Sequence, residues 1–266
     1  MPPPQAEAPP EHVRTAFGVR EHEPERHEPG PVWRCGEAVL KPVGSTTEAA
    51  WVARTLDSLQ VDGLRLARPL RSSDGRWVVS GWTASRHLEG QPEPRHDEVV
   101  SVAQRLHAAS AELHRPSFLD DRSDLYAVAD AAAWGDTDPE LPGRWGGEAF
   151  ADLAGARLPV DLRSQVVHGD LFGNVLFTGS AAPAVIDFTP YWRPPEWAAA
   201  VVVVDALAWG GADPNLVHRW SSHAEWPQVL LRALLFRIAV HALHPRAGEQ
   251  SLAGLRRAVT LVRQLL

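Results

Sequence analysis

Two short segments of the chain place polar side chains among apolar residues. The first, "VVHGDLFGNVLF" at residues 166–177, contains His168, Asp170 and Asn174, and the second, "AVIDF", contains Asp187. Carboxylate and amide oxygens are the ligands that Mg²⁺ accepts, together with phosphate oxygens and water. Asn174 and Asp187 are therefore candidate magnesium ligands.

Asp170 is a further carboxylate in the same region. In phosphoryl transfer, an aspartate orients the attacking hydroxyl and accepts its proton. The apolar runs around Asp170, Asn174 and Asp187 predict short β-strands, and adjacent strand ends can bring the three side chains to one place. The residues thus favour phosphoryl transfer to a hydroxyl.

Lys41, in "AVLKPV", is the single lysine among 26 basic residues. A lysine kept in an arginine-rich chain can mark a position that needs a compact ammonium group instead of a planar guanidinium. A surface lysine without a special role is the alternative interpretation.

The elements around these residues change character along the chain. Up to about residue 82 the pattern predicts β-strands with two helices, one of them opened by a capping box of Ser45 and Glu48. An Asp-Gly turn near residue 74 predicts a hairpin that continues through "RWVVSGWTAS". From residue 97 onward helices predominate, and the β segments described above interrupt them.

This pattern predicts four regions and an α+β fold. They are a disordered proline-rich lead-in (1–10), a β-rich lobe with a helix (11–82), a connector (83–90) and a larger, mainly helical lobe (91–266) that holds the β insertion. Such a division predicts a ligand cleft between the lobes.

Composition excludes several classes of partner. The net charge of −7 comes from interspersed acidic and basic residues, which argues against nucleic acid or an anionic membrane as partner. The longest apolar run, "WAAAVVVV", is too short to span a bilayer. A single cysteine and the lack of a secretory signal pattern predict a cytoplasmic protein. The oligomeric state stays open.

Taken together, the motifs resemble the aminoglycoside phosphotransferase and choline kinase family, specifically a bacterial branch without an assigned substrate. The resemblance rests on "HGDLFGN", "VIDF", "VLKPV" and "TEAAWVARTL", which occur in the family's order. It implies a two-lobed protein-kinase-like fold with a small antiparallel sheet in the N-lobe. It also implies an enzyme that transfers the γ-phosphate of ATP, with Mg²⁺, to a hydroxyl of a small metabolite or antibiotic-like molecule.

The resemblance also implies a role for each motif residue. Asp170 corresponds to the catalytic base, and Asn174 and Asp187 to the magnesium ligands. Lys41 would hold the α- and β-phosphates while paired with Glu48.

Two further residues would support the site. His168 would brace the catalytic loop through hydrogen bonds, and Asp205 in "VVVVDALAW" would tie that loop to a buried helix. Glu196 or Asp213 could add negative charge for a cationic acceptor.

Two departures from the family pattern leave an alternative open. The segment "DLFGN" has three residues between Asp170 and Asn174 where the family usually has four, and we expect Gly173 to absorb the difference through a backbone conformation that other residues avoid. The expected phosphate-covering hairpin, near residues 27–39, is poor in glycine. A degenerate kinase-like protein that binds nucleotide without transferring phosphate is therefore the alternative function.

A third hypothesis is a metal-dependent hydrolase that uses His168, Asp170 and Asp187. It leaves Lys41 unexplained, and the sequence lacks the histidine-rich ligand set typical of zinc hydrolases.

Overall fold

The computed structural model describes residues 7–27 and 30–266. Most of the predicted lead-in lies outside the described residues, and residues 7–10 precede the first helix without regular structure. The chain divides into two compact units, which we call the first unit (Met1–Gln91 and Leu176–Phe188) and the second unit (Pro92–Val175 and Thr189–Leu266).

The first unit is built around a five-stranded antiparallel sheet. Its elements are α1 (Glu11–Ala16), β1 (Glu25–His27), β2 (Val32–Cys35), β3 (Ala38–Pro42), α2 (Thr46–Ser58), β4 (Arg65–Leu66), β5 (Pro69–Leu70) and β6 (Trp82–Arg86). The strand order is β1-β2-β3-β6-β5. Helix α1 buries Val13 against an apolar cluster that includes Cys35 and Leu40 from this sheet.

The second unit is mainly helical. Its elements are α3 (His96–Ala109), α4 (Leu125–Trp134), α5 (Gly147–Ala154), β7 (Gln165–His168), β10 (Pro190–Arg193), α6 (Pro195–Trp209), α7 (Leu216–Arg219), α8 (Trp226–Leu243) and α9 (Glu249–Arg263). Helices α6 and α8 are buried on nearly all sides, because their sequences are apolar around the whole circumference. Length and composition would let α8 cross a membrane, but 83% of it is buried within the protein, as in a core helix.

The predicted β insertion does not form one sheet. Strand β7 pairs antiparallel with β10, a strand that the sequence analysis did not predict. Strands β8 (Val175–Leu176) and β9 (Ala184–Val185) belong to a separate sheet of order β4-β9-β8. Both residues of β9 are buried and pair parallel with β4, so Asp187 follows a strand of the first unit.

The predicted hairpin at residue 74 is also partly wrong. The turn itself forms, because the Gly75 N–H donates to the Ser72 carbonyl at 2.8 Å. The returning strand, however, begins only at Trp82, since Ser80 and Gly81 adopt positive φ angles of 48° and 77° and create a second turn. Strand β6 therefore includes residues 83–86, which were predicted as the start of the connector.

Candidate functional site

Lys41 and Asp187 form an ion pair within the first unit. The Lys41 ammonium donates to Asp187 Oδ1, and the two side chains are 42% and 48% exposed. Lys41 lies on β3 opposite Thr83 of β6, one residue after the buried Leu40. Because side chains alternate along a strand, this register directs Lys41 away from the core that Leu40 enters. The structure thus brings together two of the predicted site residues.

Asp187 has an uncommon backbone conformation. Its φ is +49°, in the left-handed region that non-glycine residues seldom occupy and that costs free energy. Such conformations persist where the surrounding structure determines them, and they cluster at functional sites. The conformation sets the direction of the carboxylate two residues after β9.

Glu48 occupies the first turn of α2. Its backbone N–H donates to the Ser45 hydroxyl at 3.3 Å, which forms the N-cap half of the predicted capping box. The proposed pairing of Glu48 with Lys41 stays a prediction.

The segment after β7 forms a tight turn in the second unit. The Gly169 N–H donates to the Thr189 carbonyl at 3.1 Å, and the Asn174 N–H donates to the Leu171 carbonyl at 2.9 Å. Gly173 has a φ of +83°, as predicted for the shortened loop, so the turn closes through a conformation that favours glycine.

Asp170 is a half-exposed carboxylate with one oxygen firmly held. Its Oδ1 accepts from Arg237 Nη2 at 2.8 Å, and the side chain is 46% exposed. The Asn174 amide donates to the Asp170 carbonyl at 2.7 Å and to Asp170 Oδ2 at 3.4 Å. Oδ2 thus retains the greater capacity to accept a proton or a further hydrogen bond.

Arg237 connects Asp170 to the core of the second unit. Its Nε donates to Asp205 Oδ1 at 2.7 Å and its Nη2 to Asp205 Oδ2 at 2.5 Å. Burial raises the pKa of Asp205 to about 6, although Arg237 acts in the opposite direction. Burial also disfavours the charged form of Arg237, but the two carboxylates outweigh it and raise its pKa, so the guanidinium stays charged. Asp205 is thus connected to the loop through the hydrogen bonds of Arg237.

Two buried histidines connect α3 to the same loop. The backbone N–H of His168 donates to His107 Nε2 at 3.0 Å, and the backbone N–H of Asp170 donates to His168 Nδ1 at 3.1 Å. Each of these ring nitrogens acts as an acceptor, which requires both rings to be neutral. Burial, reinforced by His168, lowers the pKa of His107 to about 3. Through these two hydrogen bonds, His168 connects α3 to the backbone of Asp170. A residue that braces the loop, the role predicted for His168, is expected to make such contacts.

Tyr191 packs directly on the loop backbone. A Cβ added at Gly169 would lie 2.4 Å from a ring carbon of Tyr191, so only glycine leaves room for this ring. The Tyr191 ring is in turn held edge-on by Trp197 and Phe236, with centroids 5.5 and 5.7 Å away. The aromatic core of the second unit thus extends to the residue before Asp170.

The two predicted magnesium ligands have the oxygen donors that this cation prefers. The Asp187 carboxylate and the Asn174 amide oxygen are hard donors, and the Asn174 nitrogen is occupied by Asp170. In the part of the chain that the structure describes, no group of three or more histidine, cysteine, aspartate or glutamate side chains could hold a metal ion. Their joint binding of a magnesium ion stays a prediction.

Asp213, one of the two carboxylates considered for a cationic acceptor, is not a free negative charge. Arg219 donates to Asp213 at 3.1 Å and to Asp97 at 3.2 Å. These residues line a surface depression of about 390 Å³ in the second unit, where Arg95 and Glu98 also form an ion pair. Positive and negative charges are therefore intermixed here, which gives no support to a strongly cationic ligand.

Sequence reasoning did not identify Arg237 or Tyr191 as site residues. Arg237 lies within "LLFRIAV", 67 residues after Asp170, and an arginine inside an apolar helix was the only available signal. Tyr191 lies on β10, and no feature of its surroundings in the sequence indicated contact with Gly169.

Comparison with known proteins identifies a family for this chain. Residues 34–246 match the family model described as "Phosphotransferase enzyme family". A search of curated protein sequences finds no match.

Several solved structures share the fold. A spectinomycin phosphotransferase, solved with ADP and spectinomycin, is 13% identical, with 95% of this chain and 96% of that chain covered and a TM-score of 0.60. An amicoumacin kinase, solved with AMP-PNP and Ca²⁺, is 13% identical over 91% and 88%, with a TM-score of 0.59. A choline/ethanolamine kinase family protein from Mesorhizobium loti is 17% identical over 91% and 92%, with a TM-score of 0.54. The predicted α+β, protein-kinase-like fold is confirmed.

Proposed function

Because the chain belongs to the phosphotransferase enzyme family, we propose that it transfers the γ-phosphate of ATP to a hydroxyl group of a small molecule. The membership confirms the predicted family and the predicted enzyme class. The nucleotide, the metal and the acceptor are parts of the proposal. The observation that carries it is the Asp170 carboxylate, which is half-exposed and anchored mainly through Oδ1.

Asp170 is the general base in this proposal. Its exposed carboxylate would accept the proton of the acceptor hydroxyl as that oxygen attacks the γ-phosphorus. Anchoring by Arg237 supports the role, because a base contributes most when it is held in one orientation before the substrate arrives. The neighbouring His168 would act through the loop backbone and not on the substrate.

Lys41 and Asp187 serve the nucleotide in this proposal. Lys41 would bind the α- and β-phosphates, with Glu48 as its partner, and Asp187 would bind Mg²⁺ together with Asn174. A bound Mg²⁺ would neutralise negative charge on the phosphate oxygens. Nearly half of each side chain in the Lys41–Asp187 ion pair is exposed. This exposure supports the proposed roles, because a ligand can replace either partner.

The acceptor is proposed only as a class, a small hydroxyl compound of metabolite or antibiotic-like chemistry. Similar folds have been solved with spectinomycin and with hygromycin B bound. The intermixed charges of Asp97, Asp213 and Arg219 give no support to a polycationic acceptor. ATP as the donor is consistent with the predicted cytoplasmic location.

A screen of hydroxyl compounds with ATP and Mg²⁺, read out as ADP release and phosphorylated product, tests this function. On the acceptor that it identifies, Asp170→Asn should lower turnover by about 10²- to 10⁴-fold while ATP affinity changes little. An Asp170→Asn variant that turns over as fast as the parent would exclude Asp170 as the base.

The short Asp170-to-Asn174 loop favours a second candidate, a protein that binds nucleotide without transferring phosphate. Calorimetry separates the two functions. Nucleotide binding that is independent of Mg²⁺, together with no product across the hydroxyl screen, would support this candidate and exclude the first.

A further inference from the structure

Arg237 bridges two carboxylates that belong to different elements of the second unit. One edge of the guanidinium, through Nε and Nη2, donates to both oxygens of Asp205, and Nη2 also donates to Asp170 Oδ1 at 2.8 Å. A two-point contact between arginine and a carboxylate fixes the plane of the guanidinium. The Asp205 side chain is only 2% exposed, so this anchor is rigid.

The fixed guanidinium determines which oxygen of Asp170 is available. Oδ1 is engaged by Arg237, whereas Oδ2 has a contact of 3.4 Å with the Asn174 amide. A carboxylate held through one oxygen by a rigid partner has little freedom to rotate. Oδ2 therefore keeps one orientation, while Oδ1 stays hydrogen-bonded to Arg237.

We propose that Arg237 is a positioning residue for phosphoryl transfer, which holds Asp170 so that Oδ2 receives the proton of the acceptor hydroxyl. The inference rests on the proposed function. In the step it serves, the hydroxyl proton moves to Oδ2 and the hydroxyl oxygen forms a bond to the γ-phosphorus. The bond from that phosphorus to the β,γ-bridging oxygen breaks, and ADP leaves with the electron pair. Asp205 acts one step further away, because it orients Arg237.

A purely structural role for Arg237 would be to neutralise Asp205 within the core. The two roles differ in one measurable respect. A positioning residue acts on turnover through Asp170, so its effect should vanish when Asp170 can no longer accept a proton. A structural residue should reduce activity by the same factor whether or not Asp170 is intact.

A double-mutant cycle of Asp170→Asn and Arg237→Lys tests this difference. Lysine keeps the charge but lacks the planar group that binds Asp205 and Asp170 together. The rate is ADP formation from Mg·ATP with water as acceptor, under single-turnover conditions with enzyme in excess so that slow variants remain measurable. We expect Arg237→Lys alone to lower the rate about 10- to 100-fold with ATP affinity within about twofold. In the Asp170→Asn background, we expect a further change of less than about threefold.

Arg232→Lys is the matched control for this cycle. Arg232 lies on the same helix and is as buried as Arg237, at 5% and 7% exposure, but it donates to Gln228 and to the Leu158 carbonyl. We expect its rate to stay within about twofold of the parent. Thermal unfolding of each variant shows whether it is folded, and Asp205→Asn replaces Arg237→Lys in the cycle if the latter is not.

The outcomes separate the inference from the proposed function. Equal rate losses from Arg237→Lys in both backgrounds would overturn the positioning role and leave Asp170 as the base. An Asp170→Asn variant as fast as the parent would instead exclude Asp170 as the base and so remove the observation that carries the proposed function. A slow Asp170→Asn variant with a strongly reduced effect of Arg237→Lys supports both.

Discussion

Asp170 and Asp187 are both half-exposed carboxylates with a basic partner, but the partners are held in different ways. Arg237, the partner of Asp170, is buried and bound to a second, buried carboxylate. Lys41, the partner of Asp187, has a side chain that is 42% exposed. The second unit thus holds its carboxylate through a network that reaches the core, whereas the first unit holds its carboxylate through a pair near solvent.

The difference has a physical consequence for function. Exposed ion pairs contribute little free energy, so their partners exchange readily. Buried charge networks are costly to break, because the remaining charge is left without a partner. The proposed roles match this division, since a base must keep one orientation whereas groups that bind a nucleotide must accept a new partner.

Removing the buried partner gives the largest expected effect. Arg237→Met should lower the free energy of unfolding by about 3–5 kcal/mol, because it leaves Asp205 buried without its partner. Chemical denaturation of the parent and the variant measures this difference. The double variant Arg237→Met/Asp205→Leu, which removes both charges, should recover a large part of the loss. A loss below about 1 kcal/mol for Arg237→Met would show that this network is no more costly to break than the pair in the first unit.

The buried His107, which accepts a hydrogen bond from the catalytic loop, should also make the stability of the protein sensitive to acid. The folded protein holds the pKa of His107 at about 3, below its ordinary value of 6.5. Between these values the unfolded state binds the proton and the folded state does not, so stability is lost as the pH falls below about 6.5. From pH 6.5 to 4.5 the loss from this group should be about 2–3 kcal/mol, at about 1.4 kcal/mol for each pH unit.

His107→Gln isolates this contribution. Glutamine keeps an acceptor for the His168 N–H but does not titrate, so the free energy of unfolding should fall less steeply with acid than in the parent. The difference between the two slopes is the measurement, since other groups, among them Asp205, titrate in both proteins. Parallel slopes would place the acid sensitivity elsewhere.

The residues that the sequence predicted share one property. Lys41, Asp170, Asn174 and Asp187 lie in short motifs whose side-chain types indicate a particular chemistry. The sequence paired Lys41 with Glu48, however, and did not predict the ion pair of Lys41 with Asp187. The turn at Gly173 was predictable for the same reason, because the local loop length requires a special backbone conformation.

The residues that the sequence did not predict act across the fold. Arg237 reaches Asp170 only because α8 packs beside α6, which carries Asp205. The pairing of β7 with β10, and of β9 with β4, depends on which strands meet in three dimensions, and β4 and β9 are only two residues long. Local pattern cannot choose between such partners, because any short buried strand satisfies it.

The close contact of Tyr191 with the loop backbone gives a moderate expected effect. Gly169→Ala should destabilise the protein by about 1–3 kcal/mol, because the new methyl group overlaps a ring that Trp197 and Phe236 hold in place. Gly44→Ala in the first unit is the control, since a Cβ there meets nothing within 4 Å. Thermal unfolding compares the two variants. Equal effects would mean that Tyr191 can move away and does not fix the loop.

The exposed pair of the first unit gives the smallest expected effect on stability. Lys41→Met should change the free energy of unfolding by less than about 1 kcal/mol, because both side chains are near half-exposed and water can solvate the remaining carboxylate. ATP affinity, measured by calorimetry, should nevertheless fall, since the ammonium is the proposed phosphate ligand. A stability loss as large as that of Arg237→Met would contradict the difference between the two carboxylates. Unchanged ATP affinity with unchanged stability would remove Lys41 from the proposed nucleotide site, because the side chain would then serve neither the fold nor the ligand.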